Sequence, residues 1–309
     1  MRVYYNLNEF SSLTNAVVTT GTFDGVHIGH QTILNRLIET ARLNNGESVL
    51  LTFSPHPRIV LNKDSNIKLL QSLEEKISAL GKMGIDHLII HPFTLEFAKT
   101  SSMEFIRDIL KTKIGATQLV IGYDHHFGRN REGSFKHLKA SSKKYGFDVE
   151  EIPAQDVDNI HVSSTKIRKA LSRGDIQTAN TYLSRPFSII GKVIHGEKIG
   201  RSIGFPTANI KIDDPYKLVP LNGVYTVNVF IENDSKVYKG MLNIGVKPTL
   251  DDAAQKLSIE VHIIDFEKNI YDQKIRLDFK HRIRDEKQFK SLEALKVQLQ
   301  KDLEYSKKQ

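Results

Sequence analysis

Near Ser184-Arg185-Pro186 the hydrophobic period of this chain changes, and with it the kind of layer the chain can build. Before that point, short apolar runs at 16–20, 48–53, 87–91, 118–122 and 147–151 alternate with amphipathic stretches. His30, Leu34, Leu37, Ile38 and Ala41 form one helical stripe, 73–80 a second, and Met103, Ile106, Ile109 and Leu110 a third. Two more helices are expected at 165–172 and 176–183, the second behind a turn at Gly174. Strands separated by helices of this length predict a Rossmann-like parallel sheet covered on both faces. After the change, alternating runs at 188–194, 223–231, 237–244, 256–266 and 274–281 dominate, with Asn233-Asp234 as a hairpin turn. They predict a small antiparallel barrel or sandwich. Phe289, Leu292, Leu295, Leu299 and Leu303 mark one face of a closing helix. Two domains follow, 1–184 and 185–309.

Composition narrows the function classes. Hydrophobic residues at 39% and charged residues at 26% describe a globular chain. No run of eighteen apolar residues is present, so no membrane span is expected. The start, Met1-Arg2-Val3-Tyr4-Tyr5-Asn6, lacks the features of a secretory signal, and cytoplasmic residence is the expectation. The absence of cysteine excludes disulfides and thiolate chemistry. A net charge of +8 suits anionic ligands. Nucleic acid is not the expected partner, because there is no long basic block and Lys307-Lys308 is too short to act as one.

The richest segment is Val17-Val18-Thr19-Thr20-Gly21-Thr22-Phe23-Asp24-Gly25-Val26-His27-Ile28-Gly29-His30. In a parallel sheet, ligands bind beyond the carboxyl ends of the strands, where this turn emerges. Gly21 and Gly25 permit tight turning, and Gly29 leaves room for a nucleotide against the start of a helix. Two imidazoles there could stabilise charge at an attacked phosphorus, as opposed to two surface histidines in a loop. Neither G-x-G-x-x-G after the first strand nor G-x-x-x-x-G-K-[ST] anywhere is present, which counts against nicotinamide and P-loop enzymes. Ser54-Pro55-His56-Pro57 and Gly122-Tyr123-Asp124-His125-His126-Phe127-Gly128 follow other strands and could complete the pocket. Adjacent Asp124, His125 and His126 make a poor zinc site. Ser163-Ser164-Thr165-Lys166-Ile167-Arg168 reads as a helix start carrying hydroxyls and cations, for capping or for phosphate contact.

These residues resemble the bacterial bifunctional riboflavin kinase/FMN adenylyltransferase (FAD synthetase) family. Its first domain resembles the nucleotidyltransferase superfamily, whose motifs stand here as His27-Ile28-Gly29-His30 and Ser163–Arg168. The resemblance implies ATP plus FMN giving FAD and pyrophosphate, with His27 and His30 stabilising the transferring α-phosphate. Gly21, Phe23, Asp24, Gly29, Ser163, Ser164, Thr165 and Arg168 would hold the nucleotide, and Asp124 and His125 would lie near the flavin. Family members commonly have phenylalanine where this chain has His125, a departure that bears on the flavin contacts and not on the transfer motif.

The second half resembles the riboflavin kinase barrel over nearly its full length. The carrying segments are Gly191–Arg201, Gly204-Phe205-Pro206-Thr207-Ala208-Asn209, Gly223-Val224-Tyr225 and Asn243-Ile244-Gly245-Val246-Lys247-Pro248-Thr249. A kinase must neutralise phosphates and orient a hydroxyl toward the γ-phosphorus. Thr207 and Asn209 supply neutral oxygens suited to Mg²⁺, while Gly196, Gly200 and Arg201 suit the phosphates of ATP. Alternation puts Leu257, Ile259, Val261 and Ile263 on one face and Glu260 and His262 on the other. The resemblance makes Glu260 the base for the riboflavin 5′-hydroxyl and Thr207 and Asn209 the magnesium ligands. His195 and His262 could each contact substrate or simply pack. Arg282 and Arg284 could assist phosphate or flavin binding, or form a solvated basic stretch. Tyr271-Asp272 stands where the family often has tyrosine–glycine, a change expected to affect a turn. The expected partners are nucleotide and flavin small molecules. A regulatory protein binding RNA or flavin on the same domains is the competing class.

Overall fold

A computed structural model describes residues 1–61, 66–153, 162–196, 199–247 and 256–309. Pro248 and Thr249 of the Asn243–Thr249 signature, with Glu197 and Lys198 of the glycine-rich segment, lie outside the described residues. By internal contacts the chain divides into two compact units, Met1–Ser164 and Thr165–Gln309.

The first unit is built on a six-stranded sheet in the order β1-β4-β3-β2-β5-β6, every pairing parallel. Its strands are β1 Arg2–Tyr4, β2 Ala16–Thr20, β3 Glu47–Ser54, β4 His87–Pro92, β5 Ala116–Gly122 and β6 Asp148–Ile152. Only β1 escapes the periodicity, because three residues are too few to show alternation. Both faces are dry. Val17, Leu50, Leu88, Ile90 and Val120 pack under Leu34 and Leu37 of the Ile28–Leu43 helix and Leu80 of the Leu73–Gly81 helix. On the other face Val18, Val49, Leu51, Ile89, Leu119 and Ile121 meet Phe105, Ile106 and Leu110. This double coverage is the reason the strands read as apolar runs.

The strand order places the switch point between β2 and β5. From β2 the chain winds outward through β3 and β4, then returns across the sheet to β5. The turn after β2 and the loop after β5 therefore flank one crevice at the carboxyl edge, the position such sheets use for ligands.

In the second unit six antiparallel strands close into a barrel in the order β10-β11-β8-β7-β12-β9. They are β7 Ser188–Ile194, β8 Ala208–Lys211, β9 Gly223–Ile231, β10 Val237–Lys247, β11 Lys256–Ile263 and β12 Lys274–Arg284. The four-residue β8 is missed by pattern reading because it has a single buried side chain, Ile210. Ile189, Val227, Val229, Leu242, Val261, Leu277 and Phe279 are buried with no measurable exposure. Leu257, expected on the same inward face, is 47% exposed near the end of its strand. Asn233 takes φ 63 in the β9–β10 turn, the left-handed backbone a tight hairpin asks for.

The closing helix, Leu292–Lys308, is capped by Ser291 and begins after Phe289, which was expected within it. Leu292 is 56% exposed, whereas Asp302 and Ser306 are buried. The helix docks by polar contacts as well as its apolar stripe. Arg284 of β12 forks onto Asp302, with Nε and Nη2 reaching Oδ2 at 2.9 and 2.8 Å.

Candidate active sites

The first site is made by the irregular backbone between β2 and the Ile28–Leu43 helix. Phe23, Gly25 and Val26 take φ of 46, 92 and 40, so the turn folds back three times in four residues. His27 caps the helix, its Nδ1 accepting from the His30 N–H at 3.4 Å. Acceptance at Nδ1 puts the proton of neutral His27 on Nε2, the nitrogen that can then donate. The His27 and His30 rings stack with centroids 3.6 Å apart, and Phe23 tilts against His30 at 4.9 Å. Gly29 is buried between them. A stacked imidazole pair at a helix start on the switch-point crevice can direct donors at phosphate oxygens.

Asp24 was expected to help hold the nucleotide, and its environment is of another kind. It is 2% exposed, and its carboxylate accepts from the Leu70 N–H at 3.1 and 3.2 Å and from Gln71 N–H at 3.4 Å. Its carbonyl accepts from Ser164 Oγ at 2.8 Å. Asp24 thus ties the turn to two distant segments. Buried Lys76 donates to the Thr22 carbonyl at 2.9 Å; burial lowers its pKa, and the Asp24 charge opposes that shift. No sequence motif pointed to Lys76. Ser163 and Ser164 are half-buried at the end of the first unit, with Thr165 exposed and Arg168 half-buried in the next turn of the Ser164–Ser172 helix.

Across the crevice, Asp124 is exposed, and a Cβ on Gly122 would lie 3.5 Å from its Oδ1. His125 stacks on Phe127 at 5.7 Å and 21°. Burial pushes its pKa down to about 4, helped by electrostatic repulsion from His126 and Arg131. A neutral, stacked imidazole keeps an aromatic ring at this position and adds two ring nitrogens. Phe127 continues through Phe105 and Phe97 to Phe53 and Phe93, an aromatic train along the carboxyl edge. Among the described residues no group of three or more His, Cys, Asp or Glu side chains could hold a metal ion.

The second site lies on the outer face of the barrel, where β8 is hydrogen-bonded to both β7 and β11. Asn209 pairs with Ile194 on one side and Glu260 on the other, and Glu260 pairs in turn with Asn243 of β10. Glu260 Oε2 accepts from the Thr207 hydroxyl at 3.2 Å and Oε1 from Ser258 at 3.0 Å. Two accepted bonds fix the plane of the carboxylate and so aim it, as a general base requires. Ser258 and Asn243 were not expected; the signal was the period of two, which puts Ser258 beside Glu260 on the same face. A Cβ on Gly196 would come within 2.1 Å of Asn209 Nδ2, and one on Gly200 within 2.3 Å of the Phe205 carbonyl. Gly196 therefore lies against Asn209, and Gly200 against the Phe205 carbonyl and near Thr207, where a side chain would not fit. Arg201 is exposed on the short Ile199–Ser202 helix of that segment.

Other expected contacts are engaged elsewhere. His262 bonds the Pro206 carbonyl through Nδ1 at 2.8 Å, and His195 stacks on Tyr271 at 4.0 Å. Asp272 takes φ 66 beside Tyr271, so the turn keeps the left-handed backbone glycine would supply. Arg282 donates to the Asn222 carbonyl at 2.8 Å and to Asp285 at 2.5 Å, and Arg284 serves Asp302.

A family model described as FAD synthetase matches residues 9–166, and one described as riboflavin kinase matches residues 183–309. The bifunctional riboflavin kinase/FMN adenylyltransferase of Haemophilus influenzae is 40% identical over 99% of this chain and 97% of its own length. The protein of the same description from Listeria monocytogenes is 37% identical over 93% of this chain and 90% of its own. A solved structure described as a macrolide-efflux protein from Streptococcus pneumoniae is 29% identical, with a TM-score of 0.88 over 99% of this chain and 98% of that one. Among the described residues no helix is long and apolar enough to cross a membrane.

Proposed function

The chain belongs to the bifunctional riboflavin kinase/FMN adenylyltransferase family, and from that premise we propose that its two reactions are divided between residues 1–184 and 185–309. The protein phosphorylates riboflavin to FMN with ATP and transfers AMP from ATP to FMN, giving FAD and pyrophosphate. In our reading the barrel performs the first step and the parallel-sheet domain the second. The observation that carries the division is that the parallel sheet and the barrel each bear a phosphate-transfer constellation. One is a stacked imidazole pair at a switch point, the other an oriented carboxylate beside hydroxyl and amide oxygens.

In the kinase step Glu260 accepts the proton of the riboflavin 5′-hydroxyl as its oxygen bonds to the γ-phosphorus and ADP leaves. Thr207 and Ser258 keep the carboxylate aimed. Thr207 and Asn209 present hard, neutral oxygens; this donor set fits Mg²⁺ shared with nucleotide phosphates and water. When bound, the ion would neutralise phosphate charge. Gly196, Gly200 and Arg201 are placed to meet the phosphates.

In the transfer step a phosphate oxygen of FMN bonds to the α-phosphorus while the bond to pyrophosphate breaks. The nucleophile is already anionic, so no base is needed. His27 and His30 donate to the oxygens on which charge accumulates. Gly21, Phe23 and Gly29 line the turn, Asp24 anchors it, and Ser163, Ser164, Thr165 and Arg168 serve the nucleotide. Asp124 and the His125–Phe127 stack face the flavin. In the barrel, Arg282, its guanidinium fixed by the Asn222 carbonyl and Asp285, is assigned to the flavin.

Incubation with riboflavin and MgATP, with chromatographic separation of products, should give FMN and then FAD. FMN without FAD would show that only the barrel is active. Saturable, salt-sensitive RNA binding with no turnover would instead favour the regulatory class.

A further inference from the structure

The turn carrying His27 and His30 is held from beneath by a segment outside both transfer motifs. Leu70 and Gln71, which lead into the Leu73–Gly81 helix, hold the Asp24 carboxylate with their N–H groups. From the same helix Lys76 reaches the Thr22 carbonyl at 2.9 Å, and Thr52 of β3 donates to that carbonyl at 3.3 Å. Lys76 is 6% exposed and Thr52 fully buried, so both face the protein and not a ligand.

In a trans peptide the carbonyl of one residue and the N–H of the next point to opposite sides. With the Thr22 carbonyl turned toward Lys76 and Thr52, the Phe23 N–H is turned away from them. Phe23 itself holds φ 46, a backbone that a bulky residue keeps only when its surroundings enforce it. Its ring rests on His30, which stacks on His27. One buried ammonium thus governs a path of contacts from Thr22 through Phe23 to both imidazoles.

Stability alone does not account for this lysine. A buried cation with one carbonyl and a neighbouring carboxylate loses hydration, and an apolar side chain of similar volume often serves stability as well or better. What methionine cannot supply is a donor at the Thr22 oxygen. We infer that Lys76 is a positioning residue for AMP transfer, fixing the Thr22–Phe23 peptide and, through Phe23, the His27–His30 pair. This rests on the reading of those histidines as the transfer site.

The test follows conversion of FMN and MgATP to FAD by the full chain and by Lys76→Met, Lys76→Arg, Thr52→Val and His30→Ala, with the folded fraction of each measured by calorimetry. Lys76→Met is expected to lower kcat about 10–100-fold with the KM for ATP within about threefold and the folded fraction unchanged, while Lys76→Arg restores kcat to within about threefold of wild type. A Lys76→Met kcat within about threefold of wild type, or a loss that only tracks the folded fraction, overturns the inference. Should Lys76→Met fail to fold, Thr52→Val decides: a fall in kcat of about 2–5-fold at unchanged KM supports the role, and a wild-type kcat overturns it. His30→Ala separates the two levels, because unimpaired FAD formation there sinks the transfer-site reading itself.

Discussion

The Thr207 hydroxyl and the Glu260 carboxylate are joined by a 3.2 Å hydrogen bond across the β8–β11 edge, so the residue proposed to touch the metal also aims the proposed base. Glu260→Gln should lower FMN formation by about 10²–10⁴-fold while added FMN is still converted to FAD. Ser258→Ala, which removes the second bond to Glu260, should cost only about 2–10-fold in kcat. Equal loss of both reactions in Glu260→Gln would contradict the assignment of the kinase step to the barrel.

His27 and His30 stack at 3.6 Å, and each proposed donor acts on charge that grows during transfer. His27→Ala or His30→Ala should reduce FAD formation by about 10²–10³-fold. Riboflavin phosphorylation should proceed at its usual rate, so FMN accumulates in the product chromatogram.

His125 makes the first unit acid-sensitive. Its folded pKa of about 4 lies below the ordinary 6.5 because burial disfavours the imidazolium. Between those values the unfolded chain binds a proton that the folded one refuses, so stability is lost as pH falls from 6.5 toward 4 and is indifferent to this group above 6.5. The loss should be on the order of 2 kcal/mol, allowing for the ring's partial exposure. His125→Phe keeps the stack on Phe127 and should remove this acid limb while FAD formation at neutral pH stays within a few-fold. Urea unfolding of both proteins at neutral and acidic pH checks it; identical pH sensitivity would rule the imidazole out.

Arg284 and Asp302 carry side-chain exposures of 13% and 2%, so removing one partner leaves a buried charge. Asp302→Ala should destabilise the second unit by about 3–5 kcal/mol. The double change Arg284→Met, Asp302→Leu should recover most of that loss. Chemical denaturation followed by circular dichroism reads both.

How much of this was legible beforehand differs by element. β2 matched its expected limits as an apolar run between turn residues, and the 176–183 helix and β7 matched theirs because their periods declare themselves. β1 and β8 did not, since edge pairing and barrel closure are long-range facts that three or four residues do not encode. The closing helix kept its stripe in the sequence, yet its buried anchors are Asp302 and Ser306, residues that pattern reading assigns to solvent.

The sequence by itself determined where the chain changes from a parallel sheet to a barrel, because local period carries that information. Its motifs nominated the phosphate donors and the carboxylate base only through their resemblance to the family. Only the tertiary structure decided that Asp24 ties the turn to Leu70, Gln71 and Ser164, that His125 is held neutral, and that Lys76 reaches the Thr22 carbonyl. These depend on which distant groups are buried together, and burial sets both the hydrogen-bond partners and the protonation of a polar side chain.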